Sequence, residues 1–392
     1  MARTTRTGPR ARPGALVTVV TVVVAALAVV ALAGCTSAVV KPHPAASSPS
    51  PASPHSPARP ATPPDSRVAL GCSDLLSSAD LGHLFTDRMQ AVNPAGPQLD
   101  AGSGIPATYY EQTAGGVDCA WSNGKANNGS AAIAAMTATM TVLPNATADW
   151  AKYRAKYHLP SNRQAFCSGD TSTAACFLQS LVNGYWVTAD YENVDVKLAS
   201  STSPVVGAVK PVLAAAEARL ASLPPSEPSA GAAPGASAGL PANCAGYLTP
   251  AEVKKALGTT ATMAFGGSGD NWSVSAAAEQ RSGVPFCSLS PAGSEDSYGY
   301  VAVLPAGAWA AADAVTLTGA KRLAVTGLGT DDSATAYVNP TTNAVIVDLV
   351  LNGNWIEVDV VKLDATAAIP AASVAPATSA IRIARDIVSR IG

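Results

Sequence analysis

An internal duplication constrains this chain more than any other feature. Cys72-Ser-Asp-Leu-Leu-Ser77-Ser-Ala-Asp80 aligns with Cys244-Ala-Gly-Tyr-Leu-Thr249-Pro250-Ala-Glu252, and Val117-Asp118-Cys119-Ala120-Trp121 with Pro285-Phe286-Cys287-Ser288-Leu289. Val142-Leu143-Pro144 then matches Val303-Leu304-Pro305, each before an Ala-rich stretch carrying Trp150 or Trp309. Asn183-Gly184-Tyr185-Trp186 matches Asn352-Gly353-Asn354-Trp355. The cysteine offsets are 172 and 168 and the Asn-Gly offset is 169, so only the Val-Leu-Pro offset, 161, requires a sizeable length change. Whatever plan one copy adopts, the other must satisfy too, and 392 residues leave room for two domains of ordinary size.

Local signals define that plan. Ser77 with Asp80, and Thr249 with Glu252, have the spacing of a capping box, and Pro250 suits the first helical position. Asn-Gly between apolar runs predicts a two-residue type I′ hairpin, because both turn residues take positive φ. That turn puts Val345, Val347, Leu349, Leu351, Ile356, Val358 and Val360 on one face of the second copy's hairpin. The other face carries Ile346, Asp348, Val350, Trp355, Glu357, Asp359 and Val361. One uniformly apolar face means one side packs on a core. Upstream, residues 339–343 form a second tight connection. Each copy therefore reads helix, two strands, helix, three-strand meander and C-terminal helix, the last over Val212 to Leu220 or about Ser379 to Ile391. The expected fold class is α+β: two tandem copies of an antiparallel sheet with helices packed on one face.

The chain holds seven cysteines. If Cys35 is modified, as argued next, six remain, and an even count in an exported chain reads as disulfides. Spacing alone leaves the pairings open. The duplication selects Cys72–Cys119 and Cys244–Cys287 at matched places, leaving Cys167–Cys176 across the meander's first turn. Zinc is the competing reading, but no C-x-x-C pair or histidine cluster accompanies these cysteines.

The N-terminus supplies the context. Arg3, Arg6, Arg10 and Arg12 precede an apolar run over residues 15–33, which ends in Leu32-Ala33-Gly34-Cys35. A basic segment, an apolar segment and a small-residue cleavage site make a secretory signal. The site resembles the lipobox of bacterial lipoproteins, which implies cleavage before Cys35, its lipidation, and anchoring on the outer face of the cytoplasmic membrane. An uncleaved transmembrane anchor is the alternative, and it also places the rest outside. The expected organisation is a signal peptide over 1–34, a lipidated cysteine and Pro/Ser/Ala-rich tether over 35–66, and a first repeat domain over 67–223. A Pro/Ala/Gly/Ser linker over 224–240 then leads to a second repeat domain over 241–392. A tether of that composition builds no core and favours extended conformations; His43 and His55 are spacers within it.

The opening C-x-x-x-L helix, the later cysteine-Trp strand and the lipobox together resemble a family of actinobacterial secreted lipoproteins of unknown function. In plan the copies are similar to the extracellular sensor domains of actinobacterial Ser/Thr receptor kinases. The second copy matches better at Cys244 to Gly258, the first at Cys119-Ala-Trp121, where the second has Leu289. The resemblance brings no catalytic residues and no cofactor.

Candidate chemistry is sparse. Nucleophilic catalysis needs a base beside Ser or Cys. Outside the tether the histidines are His83, expected on the helix after Cys72, and His158, expected to close a helix before Pro160; Glu111 or Asp118 are their possible carboxylate partners. No G-x-S-x-G, S-x-x-K or H-E-x-x-H motif occurs. Gly266-Gly267-Ser268-Gly269, Asp270-Asn271-Trp272 and Asp331-Asp332 read as loops and turns rather than anion or metal sites. The remaining candidate is Asp348, Glu357 and Asp359 beside Trp355 on the outer face of the second hairpin. Its ordinary reading is a solvated acidic face; its functional reading is a weak divalent-cation site suited to calcium, or a cationic-ligand site. With 25 basic and 27 acidic residues, the chain carries no electrostatic footprint for nucleic acid. The expected function is a membrane-anchored, non-catalytic binding or sensor protein for a small ligand or envelope protein. The alternatives are an envelope structural or assembly partner and, third, a hydrolase with its site in the first copy.

Overall fold

Ser77 and Thr249 do open helices: each side-chain oxygen accepts the backbone N–H three residues on, and Asp80 or Glu252 reaches back to the cap. The computed structural model describes residues 62–94, 105–125, 135–169, 174–194, 203–226, 239–266, 273–291, 296–313, 321–323, 334–339, 343–361, 372 and 374–391. Both copies lie in one compact unit, residues 55–392; residues 1–54 are a separate unit, outside the described residues.

The first copy runs α1 (Cys72–Leu75), α2 (Ser78–Gly82), β1 (Gln90–Val92), a 3-10 turn (Pro106–Tyr109), α3 (Tyr110–Thr113), β2 (Val117–Ser122), β3 (Thr137–Leu143), α4 (Thr147–Tyr157), β4 (Arg163–Gly169), β5 (Ala174–Val182), β6 (Tyr185–Val194) and α5 (Ser203–Ala221). The second runs α6 (Cys244–Tyr247), α7 (Pro250–Leu257), β7 (Thr262–Phe265), α8 (Val274–Ser282), β8 (Cys287–Ser290), β9 (Gly299–Leu304), α9 (Ala308–Asp313), β10 (Lys321–Leu323), β11 (Ala334–Val338), β12 (Val345–Leu351), β13 (Asn354–Val360) and α10 (Pro376–Ile391). The sheets have orders β1-β2-β3-β6-β5-β4 and β10-β11-β12-β13-β9-β8-β7, so the second repeats the first with β10 added at its edge. Every pairing is antiparallel. The fold is α+β with two copies of one sheet.

The Asn-Gly turns are as expected: Asn183 and Gly184 have φ of 48° and 81°, Asn352 and Gly353 of 52° and 80°. They set a register that places Asp348 opposite Glu357 and, in the first copy, Gln179 opposite Thr188. At Gly299, φ is 141° and a Cβ would lie 1.9 Å from the Asp359 carbonyl oxygen, so only glycine lets β9 close on β13 there. The disulfides are Cys72–Cys119, Cys167–Cys176 and Cys244–Cys287. Two tie the opening helix of a copy to its Cys strand; the third joins registered partners on β4 and β5.

Each sheet buries one face under its first and last helices. Leu75, Leu81, Val142, Leu178, Val187, Val212 and Leu220 meet in the first core; Tyr247, Val253, Val303, Val347, Ile356, Val358, Ile383 and Ile387 meet in the second. The opposite faces are also covered. A third cluster joins Tyr109, Tyr110, Leu143, Trp150 and Trp186 of the first copy to Ala277, Ala278, Leu304, Trp309 and Trp355 of the second. The coverings are reciprocal: α8 touches β3 of the first sheet, while the 3-10 turn Pro106–Tyr109 touches β9 and β13 of the second. The elements beyond the expected plan are β1, β7, β10, α3 and α8. The last helix of each copy also begins earlier than expected, at Ser203, running through Pro211, and at Pro376.

Candidate functional site

The acidic outer face of the second hairpin is a buried layer, which corrects the solvated reading. Glu357 is fully buried and Asp359 is 8% exposed, because α9 and the first copy's 3-10 turn lie over that side of β13. The Trp355 indole Nε1 donates to Asp348 Oδ1 at 2.9 Å, and the Tyr300 hydroxyl donates to Glu357 Oε1 at 2.6 Å. Asp348 stands opposite Glu357, whose Oε2 is buried without a hydrogen-bond partner among the described residues, so ionising both carboxyls at once is unfavourable. Burial, then the charge of Asp348, pushes Glu357 far above the ordinary carboxyl range, and burial lifts Asp359 to about 7. Among the described residues no group of three or more His, Cys, Asp or Glu side chains is arranged to hold a metal ion. Asp348, Trp355, Glu357 and Asp359 thus meet as the sequence suggests, but as a packed network rather than an open calcium site.

The seam between the copies explains the burial. Tyr109-Tyr110 and Ala277-Ala278 occupy matched places, ten and nine residues before Cys119 or Cys287. The large pair faces the small one, and Tyr109 meets Trp309 and Trp355 edge-on at centroid distances of 5.4 and 5.7 Å. The Tyr110 hydroxyl donates across the seam to the Val303 carbonyl at 3.1 Å. Arg281 of α8 closes the other side, donating to Asp149 at 2.7 Å, to the Pro144 carbonyl at 2.7 Å and to the Asn145 carbonyl at 3.0 Å.

A second acidic group lies at this seam. Glu111 of α3 and Asp118 of β2 meet each other rather than a histidine: His83 and His158 are exposed, each the C-cap of its helix. The Ser275 hydroxyl, in the first turn of α8, bonds Glu111, and Thr141 bonds Asp118. Burial raises both carboxyls, Asp118 further because the Glu111 charge adds to it. Asp118 Oδ2 is buried without a hydrogen-bond partner among the described residues. Both acids line a cavity of about 220 Å³ with Thr108, Thr139, Thr141 and Ser275. Only the three-dimensional fold reveals it, since Ser275 comes from the other copy.

A groove of about 570 Å³ lies between edge strand β4 and α5. Ala165, Pro211, Leu213 and Ala214 give it apolar walls, with Arg163, Lys210 and Glu217 as charged groups. Arg163 Nε donates to Glu217 Oε1 at 2.8 Å, so the pair bridges strand and helix. Phe166, on the same edge strand, is 52% exposed. No sequence motif marks this groove. Cys35, most of the tether, Gly267 to Trp272, Asp331-Asp332 and Pro340 to Thr342 lie outside the described residues. Among the described residues no helix is long and apolar enough to cross a membrane. No protein-family model, curated protein or solved structure matches the chain.

Proposed function

We propose that the chain is a lipid-anchored, non-catalytic binding or sensor protein on the outer face of the cytoplasmic membrane. The observation that carries the reading is the groove between β4 and α5. It has the size of a ligand pocket, apolar walls and a few charged groups to orient an occupant. The lipobox at Cys35 and the tether behind it support the location, and the resemblance to secreted actinobacterial lipoproteins and receptor-kinase sensor domains supports the class. A second reading, an assembly partner of other envelope proteins, is favoured by Phe166 and Phe265. These two large apolar side chains, 52% and 60% exposed, sit on edge strands of the two sheets.

The test is capture from intact membranes. The full chain and its Ala214→Trp variant, which fills the groove from an exposed helix position, are purified side by side with unbiased mass spectrometry of small molecules and proteins. A small molecule or peptide held by the parent and lost in Ala214→Trp supports the groove reading. Equal capture by both, or none, contradicts it. A protein partner lost in Phe166→Ser but kept in Ala214→Trp moves the reading to assembly. Cys35→Ala should leave the chain unprocessed or outside the membrane fraction; unchanged fractionation contradicts the anchor.

A further inference from the structure

The cavity at the seam has a chemistry of its own. Its polar lining consists of Glu111, Asp118, Thr108, Thr139, Thr141 and Ser275, with no Lys, Arg or His among the residues that line it. The Ser275 hydroxyl, at the positive end of α8, already serves Glu111. Thr141 serves Asp118, yet Asp118 Oδ2 remains buried and unpartnered. A buried polar atom with no partner costs on the order of 1–3 kcal/mol, more when it is charged. An occupant carrying an N–H or O–H donor would remove that cost. The space, about 220 Å³, equals roughly seven water volumes, far more than a bare ion needs. We propose that this cavity binds a small organic cation bearing a primary ammonium group, held by Asp118 and Glu111 and ringed by hydroxyls.

The donor inventory decides the class. An ammonium group offers up to three N–H donors, which two carboxylates and nearby hydroxyl oxygens accept. A quaternary amine has no such donor. A phosphate or carboxylate ligand would face two acids without a counter-charge. The remaining walls, Pro94, Ala107 and Cys119, suit a short aliphatic chain. Because elements of both copies line the cavity, an occupant would also brace the seam. The groups facing the pair are Glu111 from α3, Asp118 from β2, Thr139 and Thr141 from β3, Ser275 from α8 and Thr108 from the 3-10 turn, and the carboxyls alone titrate in the working range. A cation must displace the proton the pair holds, so binding strengthens as pH rises.

The experiment is calorimetric titration of the full chain in detergent with ethanolamine and 1,4-diaminobutane at pH 5 and pH 8. Tetramethylammonium and potassium are the controls at equal ionic strength. The proposal expects heat and a raised melting temperature with the two amines, neither with the controls, and at least about tenfold tighter binding at pH 8. Asp118→Asn should weaken amine binding at least about tenfold, since a charge-assisted hydrogen bond is lost. Ala214→Trp should leave it unchanged, which separates this site from the groove. No response to either amine at pH 8, or an equal response to tetramethylammonium, overturns the proposal. So does amine binding that Asp118→Asn leaves intact. If Asp118→Asn does not fold, the wild-type comparison of amines, controls and pH still decides.

Discussion

The outer faces of the two sheets answer one packing problem with different chemistry. In the first copy the Trp186 indole donates to Gln179 Oε1 at 3.1 Å; in the second the Trp355 indole donates to Asp348 Oδ1 at 2.9 Å. The backbone slot is the same, with Gln179 opposite Thr188 and Asp348 opposite Glu357. An amide both donates and accepts, so Gln179 closes its own network: its Nε2 reaches Gln164 Oε1 at 2.6 Å and the Tyr153 hydroxyl. A pair of carboxyls closes only by keeping a proton. Two residues further on, Asp190 is exposed whereas its counterpart Asp359 is buried. Asp190 is raised to about 6 by partial burial and the Glu192 charge, Asp359 to about 7 by burial. A duplicated frame thus tolerates an exchange of amide for acid, and at this layer the exchange adds a carboxyl pair to the second copy.

Removing the shared feature should produce the largest effect. Trp186→Ala and Trp355→Ala each delete a fully buried indole and should cost about 3–5 kcal/mol by denaturant unfolding. A large loss in one and a small loss in the other would break the equivalence of the two layers.

The pH response should come next, and Asp359 is expected to carry the larger part of it at this layer. Asp359 binds its proton more tightly folded than unfolded, since burial lifts it from 3.8 to about 7. Its contribution to stability is therefore full below pH 4 and is lost as pH rises through 7, on the order of 4 kcal/mol if the whole shift is expressed. Melting temperature should fall between pH 5 and pH 8, and Asp359→Asn should flatten that fall. An unchanged slope in Asp359→Asn would place the dependence elsewhere, with the Glu111–Asp118 pair as the next group to neutralise.

A finer test keeps each ring and removes its N–H. Trp186→Phe removes the indole donor to Gln179 Oε1 and Trp355→Phe the one to Asp348 Oδ1; each should cost about 1–3 kcal/mol beyond the loss of ring size. The second should depend on pH and the first should not, as read by unfolding at pH 5 and 8.

The smallest expected effect is at the helix starts, where the copies agree. Ser77→Ala and Thr249→Ala should each cost about 1 kcal/mol in chemical denaturation. In the second copy Arg390 also pairs with Glu252 at 2.9 Å and holds its carboxyl down at about 2. That partner is a third exposed and screened by solvent, so Arg390→Ala should add only a few tenths of a kcal/mol.

These caps, the Asn-Gly hairpins, the shared face of Asp348, Glu357 and Asp359 and the disulfide partners were all legible in the sequence. Each rests on local chemistry that the duplication states twice. The helix α3 was not legible, because four residues after a 3-10 turn carry no helical period. Nor was α8, whose Ala276, Ala277, Ala278, Glu279 and Ser282 are all buried and so present no polar stripe to contrast with an apolar one. Asp348, Glu357 and Asp359 read as a solvated face for a different reason: alternating acids signal water unless another layer covers them, and here α9 and the 3-10 turn of the other copy lie over β13, a contact no local pattern shows. The meeting of Glu111 with Asp118 and Ser275 was likewise hidden, since it joins two elements of one copy to a helix of the other.

Burial holds the proton on the carboxyls of the second copy's outer layer, where the first copy uses an amide. A 13C-carboxyl NMR titration of the full chain labelled at Asp and Glu, assigned with Glu357→Gln and Asp359→Asn, measures this directly. The account predicts a midpoint at about 7 for Asp359 and a Glu357 carboxyl that stays protonated well above the ordinary range. Midpoints near the unperturbed values of about 4 for both would contradict it.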